Sequence, residues 1–346
     1  MGCVSDGEDG TGVATRTYRR ANRRKRLLLW VLGGGIVVLG LYAVTQGAYD
    51  LTVRKVLRAL TGGLSPAESV VIWNIRLPRI ITAVVVGWGL SLSGLGIQSL
   101  LKNPLGSPST LGISQGAAFG AASAIVVFGG RMASVTAMAF AGAMAATGII
   151  LLLARLKRLT PEAVILAGVA LSSLFASATI LIQYLATETE LAVVVFWTFG
   201  DVARSNWRDI GLLTVAVLGV TLFFMGRRWD LNALASGEET ARGLGVNVER
   251  IRIHGMVAAS LVAALATAFC GVIAFVGLIA PHMARRLVGA DHSLLIPFSG
   301  ALGALLLLSA DTLGRVIVGS GAMPVGVVTS FLGAPMFLYL LVRGYR

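Results

Sequence analysis

Uncharged apolar runs, each about long enough to cross a bilayer, recur from one end of this 346-residue chain to the other. A spanning helix needs roughly 20 mostly apolar residues, because hydrocarbon offers the backbone no hydrogen-bond partner and each span must satisfy its own groups. Runs extend from Leu27 to Tyr49 and from Ile80 to Leu101, then over 103–130, 132–154, 163–187, 210–226, 255–281, 293–310 and 316–342. The stretch from Ile251 to Arg286, broken by Gly271 and Pro281, is long enough to cross twice, which gives about ten spans. With 56% hydrophobic and 13% charged residues, the chain has too little polar surface to solvate a globule of this size. The expected fold is an all-α integral membrane protein.

The net charge of +13 does not point to nucleic acid, since the basic residues form no single stripe and fall instead between the apolar runs. With the amino terminus inside, 20 of the 29 Lys and Arg residues lie in inner segments and nine in outer ones, as the positive-inside rule requires. An even number of spans then places both termini in the cytoplasm. Residues 1–26 read as a disordered basic cytoplasmic tail held against anionic lipid, and 27–346 as a single transmembrane domain. The run 27–49 exceeds the roughly 7–15-residue core of a cleaved signal, so it is read as the first span. Met1-Gly2-Cys3 is not taken as a lipidation signal, because Asp6 stands where Ser or Thr is needed. Cys3 and Cys270 fall on a tail and in an apolar run, a placement unsuited to a structural disulfide.

Asp50 to Leu60 has the spacing of a short amphipathic surface helix. The 43 glycines fall largely inside the apolar runs, for example Gly87, Gly89, Gly94 and Gly96, or Gly112, Gly116 and Gly120. In lipid, small residues four apart let helix backbones approach, so a dense bundle is expected. Gly94 to Pro104 and Gly271 to Pro281 share one separation, a faint echo that suggests a weak inverted repeat of spans 2–5 and 7–10. The inner loop at about 227–252 carries a short helix pattern, Glu238 to Gly245, stopped by glycines.

No Gly-Lys pair occurs, so a phosphate-binding G-x-x-x-x-G-K-[ST] loop is absent and the chain is not expected to hydrolyse ATP. The runs also lack the mid-span Asp, Glu or Lys relay of an ion-coupled carrier, Asp311 and His282 lying near span ends. That counts against the rival reading, an ATP-independent secondary carrier. No catalytic or metal-binding cluster stands out, so the chain is not read as an enzyme.

Arg76-Leu77-Pro78-Arg79, Gly94 with Gln98, and Asn103-Pro104-Leu105-Gly106 open a series of motifs. It continues with Leu166-Ala167-Gly168-Val169-Ala170, Ala241-Arg242 with Leu244-Gly245-Val246, Phe275-Val276-Gly277-Leu278, and Pro281-His282. Asp311, Arg315, Pro324-Val325-Gly326-Val327 and Leu332-Gly333-Ala334-Pro335 close it. From about residue 70 onward the chain resembles the iron-siderophore, haem and cobalamin permease family of ABC importers. The resemblance implies a homodimer or a dimer with a paralogue, a translocation path at its two-fold axis, and location in the bacterial cytoplasmic membrane. ATP-binding-cassette ATPase subunits would bind the ATP and Mg inside, and a substrate-binding protein would dock outside. It implies ATPase coupling at Glu238, Ala241, Arg242, Leu244 and Gly245, and binding-protein docking at Arg76, Arg79 and Arg315. These outer arginines run against the positive-inside trend, and guanidinium–carboxylate pairing suits oriented docking. Asn103, Pro104, Leu105, Thr160, Pro161 and Pro281 are helix-break or gate candidates, although Pro161 also suits an ordinary helix start. Two departures stand out: Ser320-Gly321-Ala322-Met323 replaces a stretch where many relatives carry Glu, and Gly106 stands where Ala is usual. The expected cargo is an iron(III)-siderophore-type chelate, with haem or cobalamin as the alternative.

Overall fold

The computed structural model describes residues 7–47, 49, 51–59, 63, 65–157, 159–318 and 323–342, and among these all regular structure is helical. Seven helical segments are long and apolar enough to cross a membrane. They are α1 (Gly7–Thr45) from Arg23 onward, the continuous segment Pro66–Leu100, α6 (Met132–Arg155), α7 (Pro161–Leu185), α9 (Trp207–Gly226), α12 (Val248–Cys270) and α14 (His292–Val318). Two shorter apolar helices, α5 (Ile113–Val127) and α15 (Val325–Val342), and the short α13 (Val276–Val288) accompany them, a count roughly consistent with the ten spans expected. Between them lie α2 (Val53–Ala59), α8 (Glu188–Thr198), α10 (Arg228–Ala235) and α11 (Glu238–Gly243).

Pro66–Leu100 joins α3 (Pro66–Val70), a π-helical turn (Val71–Arg76) and α4 (Leu77–Leu100). Its start is written locally. The Ser65 hydroxyl accepts the Glu68 N–H, the Glu68 carboxylate accepts the Ser65 N–H, and Pro66 occupies the first turn, where its missing N–H costs nothing. α4 is the hub of the bundle, packed against α9, α12, α13 and α14. Glycine makes this possible: a Cβ on Gly94 would overlap the Gly277 carbonyl of α13, and one on Gly87 would overlap Gly303 of α14. The α5–α6 pair closes in the same way at Gly116 and Gly142. Without a hydrophobic drive between helices in lipid, backbone-to-backbone packing of this kind supplies much of the attraction.

The run from Ile251 to Arg286 does divide into two helices, because α12 ends on Gly271 in the left-handed region and residues 272–275 are non-helical before α13. The amphipathic segment expected over 50–60 contains α2. Two features differ from the sequence expectation. α1 runs back to Gly7, through most of the tail expected to be disordered. Gly94 lies in mid-helix while Gly271 caps a helix end, and Pro104 lies in a loop while Pro281 lies inside α13, so the glycine–proline echo does not mark equivalent places. The two four-span sets nevertheless start from opposite ends of the bundle, α4 finishing where α12 begins.

Candidate functional site

Charged side chains gather at the two ends of the bundle, and among the described residues its middle holds only neutral polar groups such as the buried Ser91–Ser299 pair. One end is defined by Thr45, Arg76 and Asp311, the other by Leu100, α10 and α11.

At the first end, Asp311 is fully buried in α14. Arg79 Nε donates to its Oδ1 at 2.7 Å, and Arg315 Nε lies 3.2 Å from its Oδ2 as an ion pair without hydrogen-bond alignment. Asp201 stands 3.9 Å from Arg79 Nη2, so two guanidiniums face two carboxylates and the buried charge balances. A buried charge is tolerated only when it is paired and hydrogen-bonded in this way. Arg315 Nη1 also donates to the carbonyls of Ala43 at 2.8 Å and Gln46 at 3.2 Å, and Arg76 donates to those of Val44 and Tyr49. Both arginines thereby satisfy carbonyls at the C-terminal end of α1, where helix geometry leaves acceptors unpaired and the helix dipole favours cations. Arg76 and Arg315 are thus turned inward and buried, and Arg79 is partly exposed. Their departure from the positive-inside trend has an internal cause, which the sequence did not reveal because their acceptors are backbone carbonyls at the end of α1 and just after it. Nearby, α8 begins at a capping box, and the Thr187 N–H and hydroxyl hold the Glu190 carboxyl below its usual range.

At the second end, the loop at about 227–252 carries two short helices, α10 and the expected α11, packed against each other as a hairpin. Arg242, Leu244 and Gly245 face outward, Leu244 at 70% exposure, whereas Ala241 is fully buried. Glu238 opens α11, and its carboxylate is engaged by Arg252 of α12. Arg252 is 2% exposed and also donates to Leu100 O at 3.3 Å and Leu159 O at 2.6 Å. A second tie holds α10. Asn232 Oδ1 accepts the His292 N–H at 2.9 Å and lies 2.7 Å from His292 Nδ1, while His292 Nε2 lies 2.9 Å from Ser99 Oγ of α4. An N–H on Nδ1 facing that acceptor leaves Nε2 to accept from Ser99. Arg285 of α13 donates to Gln98 Oε1 at 2.7 Å.

The helix-break candidates sit at this end. Asn103 Oδ1 accepts the Leu105 N–H at 2.9 Å, Lys102 takes a left-handed φ of 48°, and Leu105 is exposed. Thr160 caps α7 by accepting the Ala163 N–H, and Pro161 takes the first turn. Pro281 is buried inside α13. Sequence reasoning overlooked Arg252, His292 and Asn232. The available signal was an arginine, Arg252, one turn inside a span-forming helix, a position costly to a cation unless neighbours receive it.

The FecCD transport family matches residues 35–343. A Methanocaldococcus jannaschii protein assigned as an ABC transporter permease is 48% identical over 341 residues, covering 95% of this chain and 98% of its own. The hemin transport system permease protein HmuU of Yersinia pestis is 36% identical over 325 residues, covering 92% and 96%. A solved metal-chelate-type ABC transporter in an inward-facing conformation superposes with a TM-score of 0.81 at 31% identity, over 92% of this chain and 100% of that one.

Proposed function

The chain belongs to the FecCD transport family, and from that premise we propose that it is the membrane-spanning subunit of an importer for iron(III)-siderophore-type chelates. Separate ATP-binding-cassette ATPase subunits power it and a substrate-binding protein supplies it. The observation that carries this reading is the α10–α11 hairpin, which projects Arg242, Leu244 and Gly245 from the bundle while its buried side is tied to the spans. An outward apolar and basic knob anchored to moving helices is what an ATPase partner needs in order to push on the membrane part. That end is cytoplasmic in this reading, in line with the Lys and Arg distribution, and both termini lie on the same side.

The binding protein docks at the opposite end. Arg79, its side chain 10% exposed, is the least buried of the three arginines and the one nearest to a docking partner, while Arg76 and Arg315 hold the platform on α1. A second copy, or a paralogous permease, completes the path, and the loops at Asn103-Pro104-Leu105 and Thr160-Pro161, with Pro281 nearby in α13, form the inner gate. Transport proceeds by alternating access: loaded binding protein docks, ATP binding shifts the dimer, and hydrolysis resets it. This chain supplies the path and makes no covalent bond.

Support for a chelate cargo comes from the names of relatives, which include hemin, iron(III)-citrate and iron(III)-hydroxamate permeases. The test is uptake of labelled ferric siderophores, haem and cobalamin into proteoliposomes holding this chain with its ATPase and binding protein. Uptake of a ferric siderophore that requires ATP and the binding protein is expected. Selective uptake of haem or cobalamin would move the cargo within the family, and uptake without any ATPase would overturn the reading.

A further inference from the structure

Three segments that the transport reading sets in motion converge on one side chain. Arg252 lies in the second turn of α12 and is almost completely buried. Its Nε donates to the carbonyl of Leu100, the last residue of α4 and three positions before the Asn103-Pro104-Leu105 break. Its Nη1 donates to the carbonyl of Leu159, just before Thr160-Pro161, where the chain turns from α6 into α7 with Leu159 at a left-handed φ of 55°. Its Nη2 holds the carboxylate of Glu238, the first residue of α11.

Each contact has a physical cause. Leu100 O is a helix C-terminal acceptor with no intrahelical N–H available, and the dipole there favours a cation. Leu159 O lies in a tight connection that gives it no helical partner. Glu238 supplies the counter-charge without which a buried guanidinium would be strongly unfavourable. The guanidinium spreads its donors over three nitrogens in a rigid plane, so it reaches three well-separated acceptors at once, whereas an ammonium must draw all three to a single nitrogen.

We propose that Arg252 is the positioning residue that transmits movement of α11 to both inner-gate loops. This rests on the importer reading above. When a partner displaces the hairpin through Arg242 and Leu244, the Glu238 carboxylate carries Arg252 with it, and Arg252 pulls on the end of α4 and on the α6–α7 turn together. The two loops therefore move as one unit with α11 rather than independently. The tie of His292 to Asn232 and Ser99 steadies α10 against α4 and α14, but it reaches neither the Leu159 turn nor α11.

The experiment measures chelate taken up per ATP hydrolysed by the complete transporter in proteoliposomes, beside copurification of the ATPase. For Arg252→Met the ATPase is expected to stay bound while uptake per ATP falls on the order of tenfold, a coupling loss rather than an assembly loss. Arg252→Lys, which keeps the attraction to Glu238 but not all three contacts, recovers part of the ratio. Glu238→Gln, at a half-buried position where folding is undemanding, lowers the same ratio by a smaller factor and decides the matter if Arg252→Met does not assemble. An assembled Arg252→Met or Glu238→Gln transporter with the wild-type ratio overturns the proposal and leaves the importer reading standing. A wild-type chain that takes up no chelate with any ATPase overturns the importer reading itself, and this inference with it.

Discussion

At the scale of single residues, the molecule places its charges where a helix end or an opposite charge receives them. Asp311 stands between Arg79 and Arg315 with no exposure, and Asp201 stands beside Arg79 as a second carboxylate. Asp311→Asn leaves two buried cations facing each other and should cost about 3–5 kcal/mol, the usual penalty for removing one partner of a buried pair. Denaturant or thermal unfolding of the detergent-solubilised chain checks this, and a variant as stable as wild type would show that water reaches the cluster. The same geometry warns against reading a charge reversal at Arg79 as a docking effect alone, because a glutamate there also faces buried Asp311. The arginines were legible in the sequence as anomalies. Their acceptors were not, because they include the backbone carbonyls of Ala43, Val44, Gln46 and Tyr49, at the end of α1 and in the residues just after it, and any residue type offers the same carbonyl.

Elements show which sequence patterns survive folding. The pattern Glu238 to Gly245 gave a helix with glycine stops, and α11 follows it, since each local rule agrees with the tertiary placement. The pattern could not tell the outer face of so short a helix from its inner one. Ala241 is buried, Glu238 is held by Arg252, and Arg242 and Leu244 face outward. Two variants separate these roles. Leu244→Asp should weaken capture of the ATPase in copurification while leaving thermal stability near wild type. Ala241→Leu should lower stability by about 1–3 kcal/mol through overpacking. The reverse ranking would place the partner on the other face. Pro161 and Thr160 illustrate the same limit: their local chemistry is that of an ordinary helix start, and only their nearness to Leu159 and Arg252 links them to the moving parts.

The whole molecule is a bundle with polar ties at both ends, and its orientation in the membrane is open to direct test. A single cysteine at Arg131, in the loop before α6 at the Asp311 end, and another at Arg242, on the hairpin, should react with an impermeant thiol reagent from opposite sides of sealed vesicles, Arg242→Cys from the ATPase side. Labelling of both from one side would contradict the ten-span path. Spans, their approximate number, the helix break at Gly271 and the small-residue packing were all determined by the sequence alone. Each reflects a local demand of hydrocarbon on a backbone that must satisfy itself, and that demand is written in runs of about 20 residues. The sequence also carried the family, through motifs spread in order along the chain. Tertiary structure alone decided which glycine meets which, that Arg76 and Arg315 close the end of α1, and that Arg252 joins α4, the α6–α7 turn and α11. Those partners lie far apart in the chain, and no pattern along one helix specifies which carbonyl of another will come within 3 Å of it.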